Sequence, residues 1–419
     1  MQQVIVIVVD SLSAQQFEKQ LALGHLPNIQ RDFVEWGLWV RECVASFPPT
    51  SFSSHASIFT GTLPYRHGVA SLRWFDRESG HHRSYAGFGA MLLNQDLLNG
   101  LGTLHHSFVG EKNTAIGQVV NEGASSAVPP LIPSDGVRMK ILRRQFSGKR
   151  PPALATIWLT ELDPVAHKYG PESPQAERHL QQIDRMIGAL MNDLHRRGLD
   201  EKTLCVFLAD HGQVPCQQFE SLPTFLKRTG FDVLDIFYYT LRDEFLFRRY
   251  DAVAWGCGVG VYFLYFPHRT GASRHLNWKQ RPSLNELHSY PTKGKTVDLV
   301  HALLDRESVG LVVVREETQA VRVFGKSGSC RIRWILDEHI PTMTRASFAV
   351  EIVEGEDPLD FARWQETAAL MDGAFHPASD WFSATVRTEM PDAPVQLVQA
   401  MLSERAPDIM VLAAPKWEL

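Results

Sequence analysis

The stretch Val4-Ile-Val-Ile-Val-Val9, followed at once by Asp10, is an apolar run that ends on a carboxylate. Residues 155–159 and 204–209 form two further runs of the same kind. Short apolar runs rich in β-branched or large side chains are typical of strands buried on both faces of a parallel sheet. Between the last two runs, residues 174–197 carry leucine and isoleucine at three- and four-residue steps, which predicts a helix. This alternation predicts a doubly wound α/β fold, with a mostly parallel central sheet and helices on both faces.

The length and composition are those of a folded enzyme-sized protein. The chain has 419 residues, of which 44% are hydrophobic and 21% charged, and it is long enough to bury a substantial core. We expect one large α/β domain over residues 1–419, with insertions at 73–148 and 217–308 that form a cap. Five scattered cysteines without CxxC spacing argue against a zinc ribbon and against a disulfide framework.

Charge and hydropathy restrict the partners and the compartment. The formal net charge of −5 gives no reason to expect binding to a nucleic-acid duplex, which usually requires a basic face. No uninterrupted apolar run reaches about 18 residues, and the first strand begins too early for a signal peptide. We therefore expect a cytoplasmic protein that does not enter a membrane; its oligomeric state is not predicted.

A Ser- and Thr-rich segment supplies a candidate nucleophile. After the turn at Pro48-Pro49, Thr50 and Ser51 precede a run over residues 54–60 that could open a helix. A helix N-terminus favours an incoming anion, and a hydroxyl group there becomes a good nucleophile when a metal ion or a base lowers its pKa. Taken alone, such a residue is more often an N-cap serine.

Carboxylates and imidazoles follow the other two runs. Asp163 and His167 are four residues apart, and Asp210-His211-Gly212 directly follows the third run. The carboxyl ends of parallel strands share one edge of a sheet, where ligands bind in open α/β folds. Oxygen and nitrogen ligands gathered there with a hydroxyl group predict a hydrolytic metal site.

In this arrangement the chain resembles the alkaline phosphatase superfamily, and most closely its nucleotide pyrophosphatase/phosphodiesterase-like branch. The resemblance covers roughly residues 1–80 and 155–215. It rests on four segments in the family's order, namely Asp10, Ser51, Asp163/His167/Gly170/Pro171 and Asp210/His211/Gly212. Aligning His55, Thr60-Gly61, Pro64 and His67-Gly68 with the family pattern puts the nucleophile at Ser51, with Thr50 as the alternative.

The resemblance implies a hydrolase of phosphate esters, preferably of diesters or nucleotide pyrophosphates, that acts through a phosphoserine at Ser51. It implies two divalent ions, of which zinc suits the ligands and manganese is also compatible. The partner would be a small-molecule phosphate ester. The first ion would be held by Asp10, Asp210, His211 and the Ser51 oxygen, and the second by Asp163, His167 and a late histidine.

Two positions depart from the family pattern. The family's phosphate-binding Asn aligns with Leu72, which cannot donate a hydrogen bond, and Arg73 is a possible substitute. The late His-Gly segment that would complete the second metal site is absent after His211. The third ligand could be His376, His339 or a residue beyond Leu419 in a longer chain; otherwise the second ion is weak or absent.

Three alternatives follow from these observations. A sulfatase is disfavoured because the residues after Ser51 lack the Pro and Arg of a formylglycine site. A phosphomutase would use the same metal ligands under a different cap. A non-catalytic or truncated relative would bind one metal ion or a phosphate ester without turnover; Leu72 and the absent His-Gly favour this last alternative, whereas Ser51, Asp10 and Asp210-His211 oppose it.

Overall fold

A computed structural model describes residues 3–80, 82–131, 134–235, 246–269, 276–337 and 342–419. Its strands, in chain order, are β1 Gln3–Val9, β2 Arg73–Phe75, β3 His82–Ser84, β4 Asn113–Ile116, β5 Ser126–Val128, β6 Leu154–Leu159, β7 Thr203–Ala209, β8 Gln218–Phe219, β9 Val233–Leu234, β10 Ala252–Gly256, β11 Val261–Tyr265, β12 His268–Arg269, β13 Leu276–Asn277, β14 Tyr290–Thr292, β15 Lys295–Val297, β16 Val309–Glu317, β17 Ala320–Phe324, β18 Gly328–Ile335, β19 Ser347–Gly355, β20 His376–Pro377, β21 Ile409–Ala413 and β22 Trp417–Glu418.

The α-helices are α1 Ala14–Ala22, α2 Pro27–Ile29, α3 Ser51–Thr60, α4 Pro64–His67, α5 Leu93–Asp96, α6 Asp135–Ser147, α7 Leu162–Tyr169, α8 Pro174–Arg196, α9 Leu222–Thr229, α10 Leu284–Leu287, α11 Leu299–Leu304, α12 Gln365–Ala368, α13 Ala378–Thr385 and α14 Ala393–Leu402. A π-helical turn spans Gln30–Glu35, and 3₁₀ turns span Gly87–Leu92, Leu104–Phe108, Asp200–Lys202, Leu246–Arg249, Met343–Arg345 and Phe361–Arg363.

The chain forms two compact units. The first unit consists of residues 1–45, 49–62 and 85–215, and the second of residues 46–48, 63–84 and 216–419. The expectation of a single domain with insertions at 73–148 and 217–308 stays a prediction. Strands β4 and β5 fall inside the first of those two ranges, yet they belong to the parallel sheet of the first unit.

The sheet of the first unit has five parallel strands in the order β5-β4-β6-β1-β7. Strand β1 lies between β6 and β7, and Val9 pairs with Leu159 on one side and with Ala209 on the other. The three apolar runs of the sequence are therefore neighbouring strands that end level with one another. The predicted α/β fold with a parallel central sheet is confirmed.

The long predicted helix is present as α8. It begins at Pro174, with the Ser173 hydroxyl group accepting a hydrogen bond from the Ala176 N–H, and it ends at Arg196. Its apolar residues at three- and four-residue steps are buried in the same core as the side chains of β1. This face comprises Leu180, Ile183, Ile187, Leu190 and Leu194, all fully buried. Burying a Leu or Ile side chain contributes about 1.5–3 kcal/mol, so packing stabilises this helix.

The second unit contains a mixed nine-strand sheet in the order β20-β19-β18-β17-β16-β21-β11-β10-β9. Its strands pair antiparallel except β9 and β10, which pair parallel. An aromatic cluster lies in this unit, where the Phe75 ring packs 5.2–5.6 Å from those of Phe247, Tyr265 and Trp278. Across the described parts of both units, no helix combines the length and the apolar character needed to cross a membrane.

A buried carboxylate in the second unit makes stability depend on pH. Asp392 precedes α14 with a left-handed backbone (φ 55°), and its side chain accepts a hydrogen bond from Gln396 Nε2 at 2.7 Å. Burial raises the pKa of Asp392 from 3.8 to about 6, although the Gln396 hydrogen bond opposes the shift. The folded state therefore binds this proton more tightly than the unfolded state, and stability falls as pH rises from about 4 to about 6.

We predict that Asp392→Asn stabilises the protein at pH 7 by about 3 kcal/mol, because a shift of one pKa unit corresponds to about 1.4 kcal/mol. Asn also tolerates the left-handed backbone. The gain should vanish below about pH 4, where the Asp392 carboxyl group is protonated in both states. Urea unfolding at pH 4 and pH 7 measures the free energy of unfolding of the wild-type protein and of Asp392→Asn. Asp380→Asn, which changes an exposed carboxylate, is the control. A gain of equal size at both pH values would contradict the prediction.

Candidate active site

The carboxylates of Asp10 and Asp210 lie at the ends of adjacent strands β1 and β7. Both residues are buried. One oxygen of Asp210, Oδ1, accepts hydrogen bonds from the backbone N–H groups of Ser11 at 3.2 Å and His211 at 2.9 Å. Its other oxygen, Oδ2, is buried and has no hydrogen bond of good geometry from the described residues. The backbone therefore holds one Asp210 oxygen, while the second lies 3.4 Å from His55 Nε2.

After β7, the backbone at Gly212 passes close to Ser13, just beyond the end of β1. At Gly212, a Cβ atom would lie 2.7 Å from the Ser13 Cβ and 2.9 Å from its Cα. Any larger residue would therefore push these two segments apart. The glycine keeps His211 close to Asp10, and His211 Nε2 lies 3.4 Å from Asp10 Oδ1.

Ser51 is the first residue of α3, and its hydroxyl group faces this pair. Ser51 Oγ lies 3.1 Å from His211 Nε2 and 3.4 Å from Asp10 Oδ1. Thr50 is the N-cap residue, and its hydroxyl oxygen lies instead 2.9 Å from Ser53 Oγ. Of the two candidate nucleophiles, Ser51 is the one whose oxygen contacts the carboxylate and the imidazole.

Asp163 and His167 occupy successive turns of α7, which follows β6. His167 Nε2 lies 3.3 Å from Asp163 Oδ1. One ligand atom each from Asp10, Asp163 and His211 can be chosen so that all lie within 4.8 Å of one another. The structure thus places the six predicted site residues in the first unit, where Asp163 links His167 to the group around Asp10.

Carboxylates crowd this site. Burial, followed by repulsion from Asp210 and Asp163, raises the pKa of Asp10 well above its usual range. Burial also acts to raise the pKa of Asp163, but hydrogen bonds from His167 and Ser11 outweigh it and lower the pKa overall. Negative charge is therefore concentrated where strands β6, β1 and β7 end, which is an environment that attracts cations.

Two polar side chains of the site were not expected from the sequence. Ser11 has a positive φ of 64°, an uncommon conformation for a residue other than glycine. Its hydroxyl group donates a hydrogen bond to Asp163 Oδ1. Gln213 Nε2 donates to the same oxygen at 2.7 Å and to Ser11 Oγ at 3.1 Å. Ser11 follows Asp10 and Gln213 follows Asp210-His211-Gly212, so their position in the sequence could have indicated them. The direction of their side chains, however, depends on the folded backbone.

A chain of buried polar side chains supports Asp210 from behind. His55, on the second turn of α3, has Nε2 3.4 Å from Asp210 Oδ2 and Nδ1 2.8 Å from Gln118 Oε1. His55, Gln118 and Asp210 are at most 1% exposed. From the sequence, His55 was only one of the positions used to align the chain with the family pattern. The geometry makes it a positioning residue for the Asp210 carboxylate.

Two histidines, His376 and His339, are candidates for the further ligand of the second ion. His376 belongs to the second unit, where its Nε2 lies 2.8 Å from Asp372 Oδ1. His339 lies outside the described residues. Leu72 and Arg73 also belong to the second unit. The third ligand of the second ion therefore stays unassigned.

A second group of three potential ligands lies in the first unit, formed by Asp135, Glu161 and His179. The Asp135 carboxylate accepts hydrogen bonds from the N–H groups of Thr160 at 2.8 Å and Glu161 at 3.2 Å. The Asp135 N–H in turn donates to Glu161 Oε2 at 3.1 Å. These bonds tie the start of α6 to the end of β6, so the group has a structural role.

Comparisons with known proteins agree with this geometry. The family model described as Type I phosphodiesterase / nucleotide pyrophosphatase matches residues 4–302. An uncharacterized pyrophosphatase/phosphodiesterase of Schizosaccharomyces pombe is 26% identical over 233 residues, which are 51% of this chain and 45% of that protein. The mouse ectonucleotide pyrophosphatase/phosphodiesterase family member 1 is 26% identical over 226 residues, 48% of this chain and 23% of that protein. The matched region thus spans less than half the length of these relatives.

Solved structures show the same fold. Human ectonucleotide pyrophosphatase/phosphodiesterase 5 is similar with a TM-score of 0.56 at 12% identity, and the murine protein with 0.52 at 15%. In both cases the match covers 100% of this chain and 80% of the other. The family model covers well over half of the chain and confirms the resemblance drawn from the four sequence segments. The chain therefore belongs to the Type I phosphodiesterase/nucleotide pyrophosphatase family.

Proposed function

We propose that the protein hydrolyses a small phosphodiester or nucleotide pyrophosphate, with Ser51 as the nucleophile and divalent cations as cofactors. The observation that carries this proposal is the position of Ser51 Oγ, 3.1 Å from His211 Nε2 and 3.4 Å from Asp10 Oδ1. A cytoplasmic location, from the sequence analysis, stays a prediction.

The donor set fits a metal ion. Carboxylate oxygens and imidazole nitrogens are ligands for zinc and manganese, and the buried Asp210 Oδ2 has one polar neighbour at 3.4 Å, His55 Nε2. Asp10, Asp210, His211 and Ser51 would hold the first ion, and Asp163 and His167 would contribute to the second. When bound, such ions lower the pKa of an adjacent hydroxyl group and neutralise charge on the phosphoryl oxygens.

Ser51 is the first residue of a ten-residue helix, and its oxygen would be the attacking atom. The positive end of the α3 dipole favours a phosphoryl anion beside the attacking oxygen. In the first step, the Ser51 Oγ–P bond forms as the bond from phosphorus to the leaving oxygen breaks; Ser51 loses its proton and the leaving group gains one. In the second step, water cleaves the phosphoserine ester, releases a phosphomonoester and restores the hydroxyl group.

We predict that Ser51→Ala lowers the turnover of bis(4-nitrophenyl) phosphate by about 10³-fold or more, because it removes the attacking oxygen. The melting temperature should change little. Ser57→Ala, two turns along the same helix, is the matched control and should keep turnover within about twofold.

Retained turnover in Ser51→Ala would rule out Ser51 as the nucleophile, and Thr50→Ala would then test its neighbour. A wild-type protein that binds metal but hydrolyses neither this diester nor 4-nitrophenyl phosphate would instead be the non-catalytic relative. Metal content per chain, measured on the same samples, counts the ions.

We predict that His55→Gln lowers the affinity of metal-stripped protein for Zn²⁺ by about 10–100-fold, because supporting hydrogen-bond partners orient metal ligands. His105→Gln is the matched control. His105 is also fully buried, between Asn113 Oδ1 and Thr156 Oγ1 at 3.2 Å each. Calorimetric titration with Zn²⁺ measures both affinities, and thermal melts report the loss of stability.

The control should lose stability without losing metal affinity. Equal effects of the two substitutions on Zn²⁺ affinity would show that His55 acts only through packing, and would contradict its role as a positioning residue.

A further inference from the structure

The second unit contains a cavity of about 300 Å³ with a cationic wall. It lies beside strand β16, the segment that precedes α10 and the turn that precedes β21. Its lining includes the polar and charged residues Arg281, Ser283, Arg315, Glu316, Thr318 and Asp408, together with Pro282 and Pro407. None of these residues belongs to the active site, which is formed by residues of the first unit.

The positive charge beside this cavity exceeds the negative charge. Arg77 Nη2 bonds to Asp408 Oδ2, and Arg281 Nη1 lies 3.7 Å from Asp408 Oδ1. Both Arg77 and Asp408 are buried. The single Asp408 carboxylate thus faces two guanidinium groups and neutralises one of them.

Arg315 adds a third positive charge without a carboxylate of its own. Its Nη2 bonds to the backbone carbonyl of Met401, whereas its buried Nε has no hydrogen-bond partner among the described residues. Burial, followed by repulsion from Arg281, lowers the pKa of Arg315 to about 10. The side chain therefore stays charged at neutral pH, and its Nε–H lacks an acceptor among the described residues.

Glu316 does not supply the missing negative charge. Its carboxylate forms hydrogen bonds with Arg322 and Arg331. Burial acts to raise the pKa of Glu316, but these two arginines outweigh it and lower the pKa to about 2. Arg77, Arg281 and Arg315 carry three positive charges against the one negative charge of Asp408. A further carboxylate, that of Glu286, accepts a hydrogen bond from the Ser283 hydroxyl group at 2.8 Å and lies 2.5 Å from His268 Nδ1.

We propose that this cavity binds a phosphate group, either inorganic phosphate or the terminal phosphate of a small phosphomonoester, through Arg281 and Arg315. Guanidinium groups pair with oxyanions through charge-assisted hydrogen bonds. A phosphomonoester carries close to two negative charges at neutral pH, which matches the excess charge, whereas a carboxylate would neutralise half of it. Thr318 lines the same cavity and its hydroxyl group offers a further donor, whereas the Ser283 hydroxyl group already donates to Glu286 Oε2 at 2.8 Å.

The proposal does not depend on the proposed reaction, although that reaction would release a ligand of this class. The test is calorimetric titration of the metal-loaded protein with inorganic phosphate. Arg315→Met removes the positive charge. Arg315→Lys keeps the charge but loses the planar guanidinium group that can form two parallel hydrogen bonds to an oxyanion. Arg333→Met is the matched control. Arg333 lies in the same sheet, on β18, but it pairs with Glu351 at 3.5 Å and does not line the cavity.

We expect the wild-type protein to bind phosphate at a site that Arg315→Met weakens at least tenfold. Arg315→Lys should weaken the same site less, and Arg333→Met should leave it within twofold. Hydrolysis of bis(4-nitrophenyl) phosphate should be unchanged in all three, which separates this site from phosphate bound at the active site. Thermal melts without phosphate establish that each variant is folded.

Two results would overturn the proposal. One is phosphate binding that Arg315→Met and Arg315→Lys leave unchanged, since all binding would then belong to the active site. The other is acetate binding at the Arg315-dependent site as tightly as phosphate, which would contradict recognition of a dianion. A protein that hydrolyses nothing but shows the Arg315-dependent site would support this inference while refuting the proposed function.

Discussion

The candidate active site depends on one constraint, the parallel pairing of β6, β1 and β7 with their carboxyl ends level. Because Val9 pairs with both Leu159 and Ala209, the residues that follow these strands emerge at one edge. Asp10 is central there, and Asp163 and Asp210 lie on either side. A shift in register would move one carboxylate away and would also turn buried side chains toward the wrong face.

Gathering these carboxylates has an electrostatic cost. Burial, and then its negative neighbours, raise the pKa of Asp10. The backbone N–H groups of Ser11 and His211 satisfy only one oxygen of Asp210. Buried like charges destabilise a fold unless hydrogen bonds or a counter-ion compensate them. The arrangement is therefore understandable as one maintained for a bound cation. Ser11 and Gln213 provide part of the compensation at Asp163 through their hydrogen bonds.

The second unit shows the opposite imbalance. Three arginines lie near one aspartate, and Arg315 keeps a buried N–H without an acceptor among the described residues. An excess of either sign in a protein interior indicates a missing partner, because an uncompensated buried charge is destabilising. We therefore propose a cation site in the first unit and an anion site in the second, for the same physical reason.

The amino-acid sequence was sufficient to predict the parallel strands, the helix that begins at Pro174 and the convergence of the carboxylates and imidazoles at one sheet edge, whereas the choice of Ser51 over Thr50 came from the family resemblance. These features depend on local periodicity and on the rule that the carboxyl ends of parallel strands lie at the same edge of a sheet. One amino-acid sequence is therefore enough to predict them. The mixed sheet of the second unit was not predicted, since antiparallel pairings between distant strands leave no local signature of partner or order. Tertiary structure alone placed Ser11, Gln213 and the His55–Gln118 support, and it alone brought Arg77, Arg281 and Arg315 near Asp408. Each of these contacts joins residues whose proximity depends on side-chain direction and long-range packing, which the order of amino acids does not display.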